Sequence, residues 1–160
     1  MYEQQVIDLV KSEIAFVGTV EDNRPHVRPM YPYIDKDGHI WLFNSCETRQ
    51  FSEIEKNPRV ELCVYGKNGE LVNIYGRLHA QLGIQKELAV QKEIIFREVP
   101  ALQKYFTGPD DPKLVYYRLG IHEIRYVQDH HTATTRVNLP QEYDPDIEMA
   151  LCQGGFCLVE

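Results

Sequence analysis

The stretch Leu71–Leu82 constrains this chain more than any other, because its residues alternate without a break. Val72, Ile74, Leu78, Ala80 and Leu82 fall on one side, with Gly76 among them. Asn73, Tyr75, Arg77, His79 and Gln81 fall on the other. A period of two predicts a long strand with one dry face and one polar face. Such a strand needs neighbours that bury its dry face.

Ile14–Val20 is rich in β-branched and aromatic residues and stops at Glu21-Asp22-Asn23, which predicts a strand and a turn. His26–Ile34 reads as a second strand; Pro29 and Pro32 cannot donate to a ladder, so it is irregular or lies at an edge. Asp35-Lys36-Asp37-Gly38 is a hairpin turn, and Ile40–Phe43, with the single tryptophan Trp41, is the returning strand. Arg59–Tyr65 and Leu114–Gln128 complete the β segments. Helical spacing predicts a short amphipathic helix over 2–12, a helix over Thr48–Asn57 capped by Thr48 and stopped by Pro58, and two helices over Gln85–Phe106 broken at Pro100. Strands of this length joined by short turns favour a small antiparallel barrel over a parallel sheet with crossover helices. Periodicity fades from about residue 129. The division is a barrel domain over 1–136 and a tail over 137–160.

Charge separates the two parts further. The chain carries 17 Lys and Arg against 24 Asp and Glu, a net −7. The tail holds Glu142, Asp144, Asp146, Glu148 and Glu160 and no basic residue, so the barrel domain is close to neutral. Without a basic run, the chain is not suited to nucleic acid, whose phosphates demand neutralisation. No stretch approaches the roughly 18 apolar residues of a membrane span, and no secretory signal opens the chain, so a cytoplasmic location is expected. Four cysteines in 160 residues do not make a disulfide scaffold. Cys63 is expected as a buried free thiol.

Two segments carry residues suited to binding. In Asn44–Gln50, a helix N-terminus with Thr48 and Arg49 offers unpaired N–H groups, a hydroxyl and a forked cation, a set that accepts phosphate and equally serves a plain capped helix. In Arg24–Met30, Arg24 and Arg28 share one strand face, and Pro29 leaves neighbouring backbone groups without ladder partners. In the tail region, His130, His131, Cys152 and Cys157 are ligand types that zinc accepts, but their spacing fits no zinc pattern, and no metal is expected.

The run Gly18…Arg24-Pro25-His26-Val27-Arg28-Pro29-Met30, then Asp37-Gly38-His39-Ile40-Trp41-Leu42-Phe43, then Thr48-Arg49-Gln50…Ile54…Asn57-Pro58-Arg59-Val60, resembles the pyridoxamine 5′-phosphate oxidase-like FMN-binding split-barrel family. The resemblance implies a mainly β fold, a six-stranded antiparallel split barrel with flanking helices, which pairs as a homodimer with two FMN molecules between subunits. It implies that Arg28, Pro29, Met30, Leu42, Phe43 and Asn44 line the flavin ring and that Thr48, Arg49 and Gln50 hold its phosphate. Gln50 stands where a lysine is common. Asn73 and Tyr75 would form a wall beside the partner subunit's flavin.

The same resemblance implies an oxidoreductase that uses flavin N5 on a small-molecule substrate or electron partner. The family's vitamin B6 oxidases carry an Arg-x-His element in the C-terminal segment. Val137–Glu160 holds neither Arg nor His, which places the chain nearer the general-stress and nitroreductase-like branch. No catalytic acid or base is assigned; Tyr75 and His79 are candidates only through their shared strand face. Competing readings are a flavin or haem module that does not turn over, and a barrel that has lost its cofactor. Residues 145–160 are expected to fold back over the barrel or its flavin groove through Ile147, Met149, Leu151, Phe156, Leu158 and Val159.

Overall fold

A computed structural model describes residues 2–129 and 132–139. The elements run α1 (Glu3–Ser12), β1 (Ala15–Glu21), β2 (Arg24–Met30), β3 (Tyr33–Ile34), β4 (Ile40–Ser45), α2 (Arg49–Lys56), β5 (Arg59–Tyr65), β6 (Leu71–Ala80), α3 (Lys86–Glu98), α4 (Pro100–Tyr105), β7 (Leu114–Val127) and β8 (Thr135–Val137). Every strand pair is antiparallel. Together they form one curled sheet of order β2-β1-β5-β6-β7-β4-β3, with β8 added on β7.

The two ends of that order, β2 and β3, are consecutive in the chain. The stretch His26–Ile34, expected as one strand, is therefore two, separated at Tyr31-Pro32, one serving each end of the sheet. Prolines explain the break: Pro25, Pro29 and Pro32 have no N–H to give a continuous ladder. β8 is a further departure, since residues 135–137 show no alternation in the sequence. The result is an antiparallel half-barrel with flanking helices.

Local sequence explains the turns. Asp22 and Asn23 both have positive φ (51° and 61°), the requirement of a type I′ two-residue hairpin, and they join β1 to β2 with Glu21 opposite Arg24. In the β3–β4 hairpin, the Asp35 carboxylate accepts from the backbone N–H of Asp37 and His39 and from Trp41 Nε1, each at 2.9 Å, and Gly38 takes the positive φ. Gly76 is needed for another reason. The ladder between β6 and β7 slips at Tyr75/Gly76, and a Cβ on Gly76 would meet the Gly120 carbonyl oxygen at 2.2 Å.

The dry side of β6 is buried at Val72, Ile74 and Leu78, together with Val60, Leu62 and Val64 of β5 and Val6, Leu9 and Val10 of α1. β6 ends at Ala80, and Leu82, expected on the dry face, is exposed. A second, smaller core holds Trp41, Leu114 and Tyr116 on the opposite face of β4 and β7, under Ile95 of α3 and Leu102 of α4. Each fully buried aliphatic side chain contributes about 1.5–3 kcal/mol. The expected tail lies outside the described residues except for 137–139, of which Val137 and Leu139 join the main core. His130, His131, Cys152 and Cys157 also lie outside them.

Candidate functional site

The proline-bearing end of β2, the end of β4, the start of α2 and the helix α4 enclose a groove of about 500 Å³. Pro29, Met30, Phe43, Asn44 and Gln50, all expected at the site, line it together. The opposite wall comes from Leu102, Tyr105 and Phe106, with Tyr31 at the rim. These walls are mostly apolar, with the rings of Phe43, Tyr105 and Phe106 among them, and suit a planar ring system. The charged lining residues are Glu47 and Lys113, bonded to each other at 3.1 Å.

Gln50 is only 5% exposed. Its side-chain oxygen accepts from Asn44 Nδ2 at 2.8 Å, and its Nε2 faces Met30 Sδ at 3.3 Å, so it braces the groove from behind. Leu42 is fully buried in the main core, so only its backbone can approach a ligand. Thr48 caps α2: its hydroxyl accepts from Phe51 N at 3.2 Å and donates to the Ser45 carbonyl at 2.8 Å. The first-turn N–H groups of Arg49 and Gln50 precede any intrahelical acceptor and form the positive end of the helix.

Behind that helix end lies a residue not selected from the sequence. Glu53 has a side chain with no exposed surface, and it accepts from Thr19 Oγ1 at 2.9 Å and from both Arg28 terminal nitrogens at 2.9 and 3.0 Å. Arg49 also reaches it through Nε at 3.1 Å and extends to Glu21 at 3.7 Å, while remaining 69% exposed. The Arg28 bonds, and then that from Thr19, hold the Glu53 carboxyl down at about 2 against the cost of burial. The signal in the sequence was the spacing Gln50–Glu53–Ile54, one inward face of a helix and the set that the fold buries.

The structure separates Asn73 and Tyr75 from the other site residues of the same chain. They lie on the outward face of the sheet beside Phe16, Val20 and Val27, in a shallow depression of about 630 Å³. Phe16 is 47% and Val27 65% exposed, an apolar surface across β1 and β2. Tyr75 packs edge-on against His122 with ring centroids 5.5 Å apart. Cys63 faces this depression half-buried rather than in the core, and burial raises its thiol pKa. Two groups of ligand-type side chains, Glu21–His26–Glu53 and Asp35–Asp37–His39, converge among the described residues. Glu53 and Asp35 are already engaged by the internal donors described above.

A profile of the "Pyridoxamine 5'-phosphate oxidase like" family matches residues 2–139. General stress protein 26 of Bacillus subtilis is 30% identical over 129 residues, covering 77% of this chain and 86% of that protein. Among solved structures, a NimC/NimA family protein from Clostridium acetobutylicum superposes with a TM-score of 0.71 at 18% identity, over 86% of this chain and 91% of its own. An FAD-binding protein from Mesorhizobium loti does so with a TM-score of 0.61 at 18% identity, over 78% and 92%. At these identities the solved structures establish the fold, a split barrel. The family match spans nearly every described element, and on it this chain belongs to the pyridoxamine 5′-phosphate oxidase-like family.

Proposed function

We propose that the chain is a flavin-binding oxidoreductase that works as a homodimer, with FMN in the groove beside α4. The observation that carries this is the convergence of Pro29, Met30, Phe43, Asn44 and Gln50 on one apolar-walled groove at the start of α2. The residues fit the two ends of the cofactor differently. For the ring, the groove offers aromatic and apolar walls and the polar groups of Asn44 and Ser45. For the phosphate, the exposed guanidinium of Arg49 and the first turn of α2 lie next to Gln50 but outside the groove's lining, Arg49 is shared with Glu53 and Glu21, and Arg28 is committed to Glu53.

Bound there, a flavin supplies hydride and electron transfer at its N5. The chain supplies the anchoring charge, the walls that exclude water, and the amide of Asn44 as a donor toward the ring edge. The exposed apolar strip of Phe16, Val20 and Val27 supports a second copy covering the outward face, which would bring Asn73 and Tyr75 of the partner subunit to the cofactor.

The test is the visible absorption of the purified chain, followed by titration with FMN and with FAD, read by quenching of flavin fluorescence. Saturable quenching supports the proposal, and absence of quenching with either flavin refutes it. A Soret band would assign haem instead. Bleaching of bound flavin by NAD(P)H and its reoxidation by an acceptor would establish turnover. One observation favours a second reading, a split barrel without flavin: Glu53 already supplies an internal anion to Arg28 and Arg49.

A further inference from the structure

The two arginines nearest the start of α2 are held by acids of the chain itself. Arg28 gives both terminal nitrogens to Glu53, at 2.9 and 3.0 Å. Arg49 gives its Nε to the same carboxylate at 3.1 Å, on the Oε1 that Arg28 also reaches, and turns a terminal nitrogen toward Glu21 at 3.7 Å. Glu21 in turn accepts from Lys56 at 3.2 Å, and His26 lies within 4.8 Å of both carboxylates. Arg28, Arg49 and Lys56 are thus set against Glu21 and Glu53, and most of the positive charge here is already answered from within.

Helix stability does not account for this arrangement. Arg49 opens α2, which has no acid in its first turn. A cation there lies at the positive end of the helix dipole, and an i, i+4 pair with the cation on the N-terminal side is the weaker of the two orders. Arg49 is 69% exposed, so part of its fork of N–H donors remains open to an anion from solution. Glu53 is the opposite case. Its side chain is wholly buried, held by Thr19 and Arg28, and its charge is little screened by salt or water. A phosphate at Arg49 therefore shares the guanidinium with a fixed carboxylate one helical turn away, and with Glu21 beside it.

We propose that Glu53, together with Glu21, sets how strongly this chain distinguishes a flavin that carries a phosphate from one that does not, by holding Arg28 and Arg49 as internal counter-ions. The inference rests on the flavin reading above and concerns its phosphate alone. Glu53 is a positioning residue: it acts through the two arginines, and the groove that would take the ring is lined without it. Removing either carboxylate frees guanidinium charge for the phosphate and leaves the affinity for the ring as it was.

The test titrates the full chain with FMN and with riboflavin by fluorescence quenching and takes the ratio of the two dissociation constants. E21Q removes one partner of the exposed Arg49 and leaves the buried Arg28–Glu53 pair in place; it should shift the ratio toward FMN by about three- to fivefold. E53Q releases Arg28 as well and should shift it about tenfold. If E53Q does not fold, E21Q decides alone. D8N removes the same charge from an exposed position on α1 and should leave the ratio within about twofold of the parent's. In E21Q/R49A the gain over R49A should vanish, because the two residues act through one contact. A ratio unmoved in E21Q and E53Q overturns the proposal. So does an equal rise in D8N, which would make the effect one of overall charge, and so does a gain that survives the loss of Arg49. Quenching by both flavins with an unmoved ratio fails this inference alone, whereas quenching by neither fails the flavin reading and this inference with it.

Discussion

Replacing Glu53 with Gln probes the least expected contact in the fold. The side chain is fully buried and accepts four hydrogen bonds or ion contacts, from Thr19, from two Arg28 nitrogens and from Arg49. Gln keeps the shape but turns one acceptor oxygen into an NH₂ group facing guanidinium donors. Breaking a buried pair by removing one partner costs about 3–5 kcal/mol when the other charge is stranded. Arg28 is 30% exposed, so water recovers part of that cost, and Arg49 is more exposed still. The expected loss is about 2–3 kcal/mol, or a fall of roughly 5–10 °C in Tm for a chain of this size.

Urea and thermal denaturation measure that loss, and pH provides an independent arm. The folded carboxyl sits at about 2, below its ordinary value of about 4.3. A depressed carboxyl contributes its full stability above the unfolded value and loses it as pH falls through the folded one. The gap between the parent chain and E53Q should therefore stay level from neutral pH to about 5 and close between about 4 and 2. A gap below about 0.5 kcal/mol at neutral pH, the ordinary size of a surface substitution, would refute the reasoning. So would a gap that widens on acidification.

The other perturbations reach different parts of the molecule. R49A should weaken FMN by about 1.5–3 kcal/mol, one charge-assisted phosphate contact, in fluorescence titration; unchanged affinity would put the phosphate elsewhere. G76A should cost about 1–3 kcal/mol or more through overpacking, because its new methyl meets the Gly120 backbone rather than a flexible side chain. A urea midpoint equal to the parent's would show that β6 and β7 can separate there without penalty. V27D places a charge on the 65% exposed apolar strip and should shift the proposed dimer to monomer in light scattering, with the fold intact by circular dichroism. A dimer that persists would move the interface to another face.

The strands were legible because alternation is written directly in β5, β6 and β7, and the helix stops at Pro58 and Pro100 are local chemistry. The break at Tyr31-Pro32 was only half legible: the prolines announced irregularity, but which strands flank each half is a property of the closed sheet. β8 left no trace, since three residues carry too short a pattern. At the site, the groove residues were found through the resemblance, and Pro29, Met30, Phe43, Asn44 and Gln50 do meet. Glu53 was hidden among the charges of a short polar helix. Its partner Arg28 lies 25 residues away, and only the fold brings the two together.

The seam at Tyr31-Pro32 has a mechanical consequence. Both margins of the half-barrel are fixed to a single two-residue hinge, with β2 held by β1 on one side and β3 by β4 on the other. Neither margin can slide along its neighbour without pulling its counterpart across the mouth of the groove. Whatever settles against Pro29 and Tyr31 therefore rests on the joint where the two halves of the wall are coupled, and its arrival is felt by both at once.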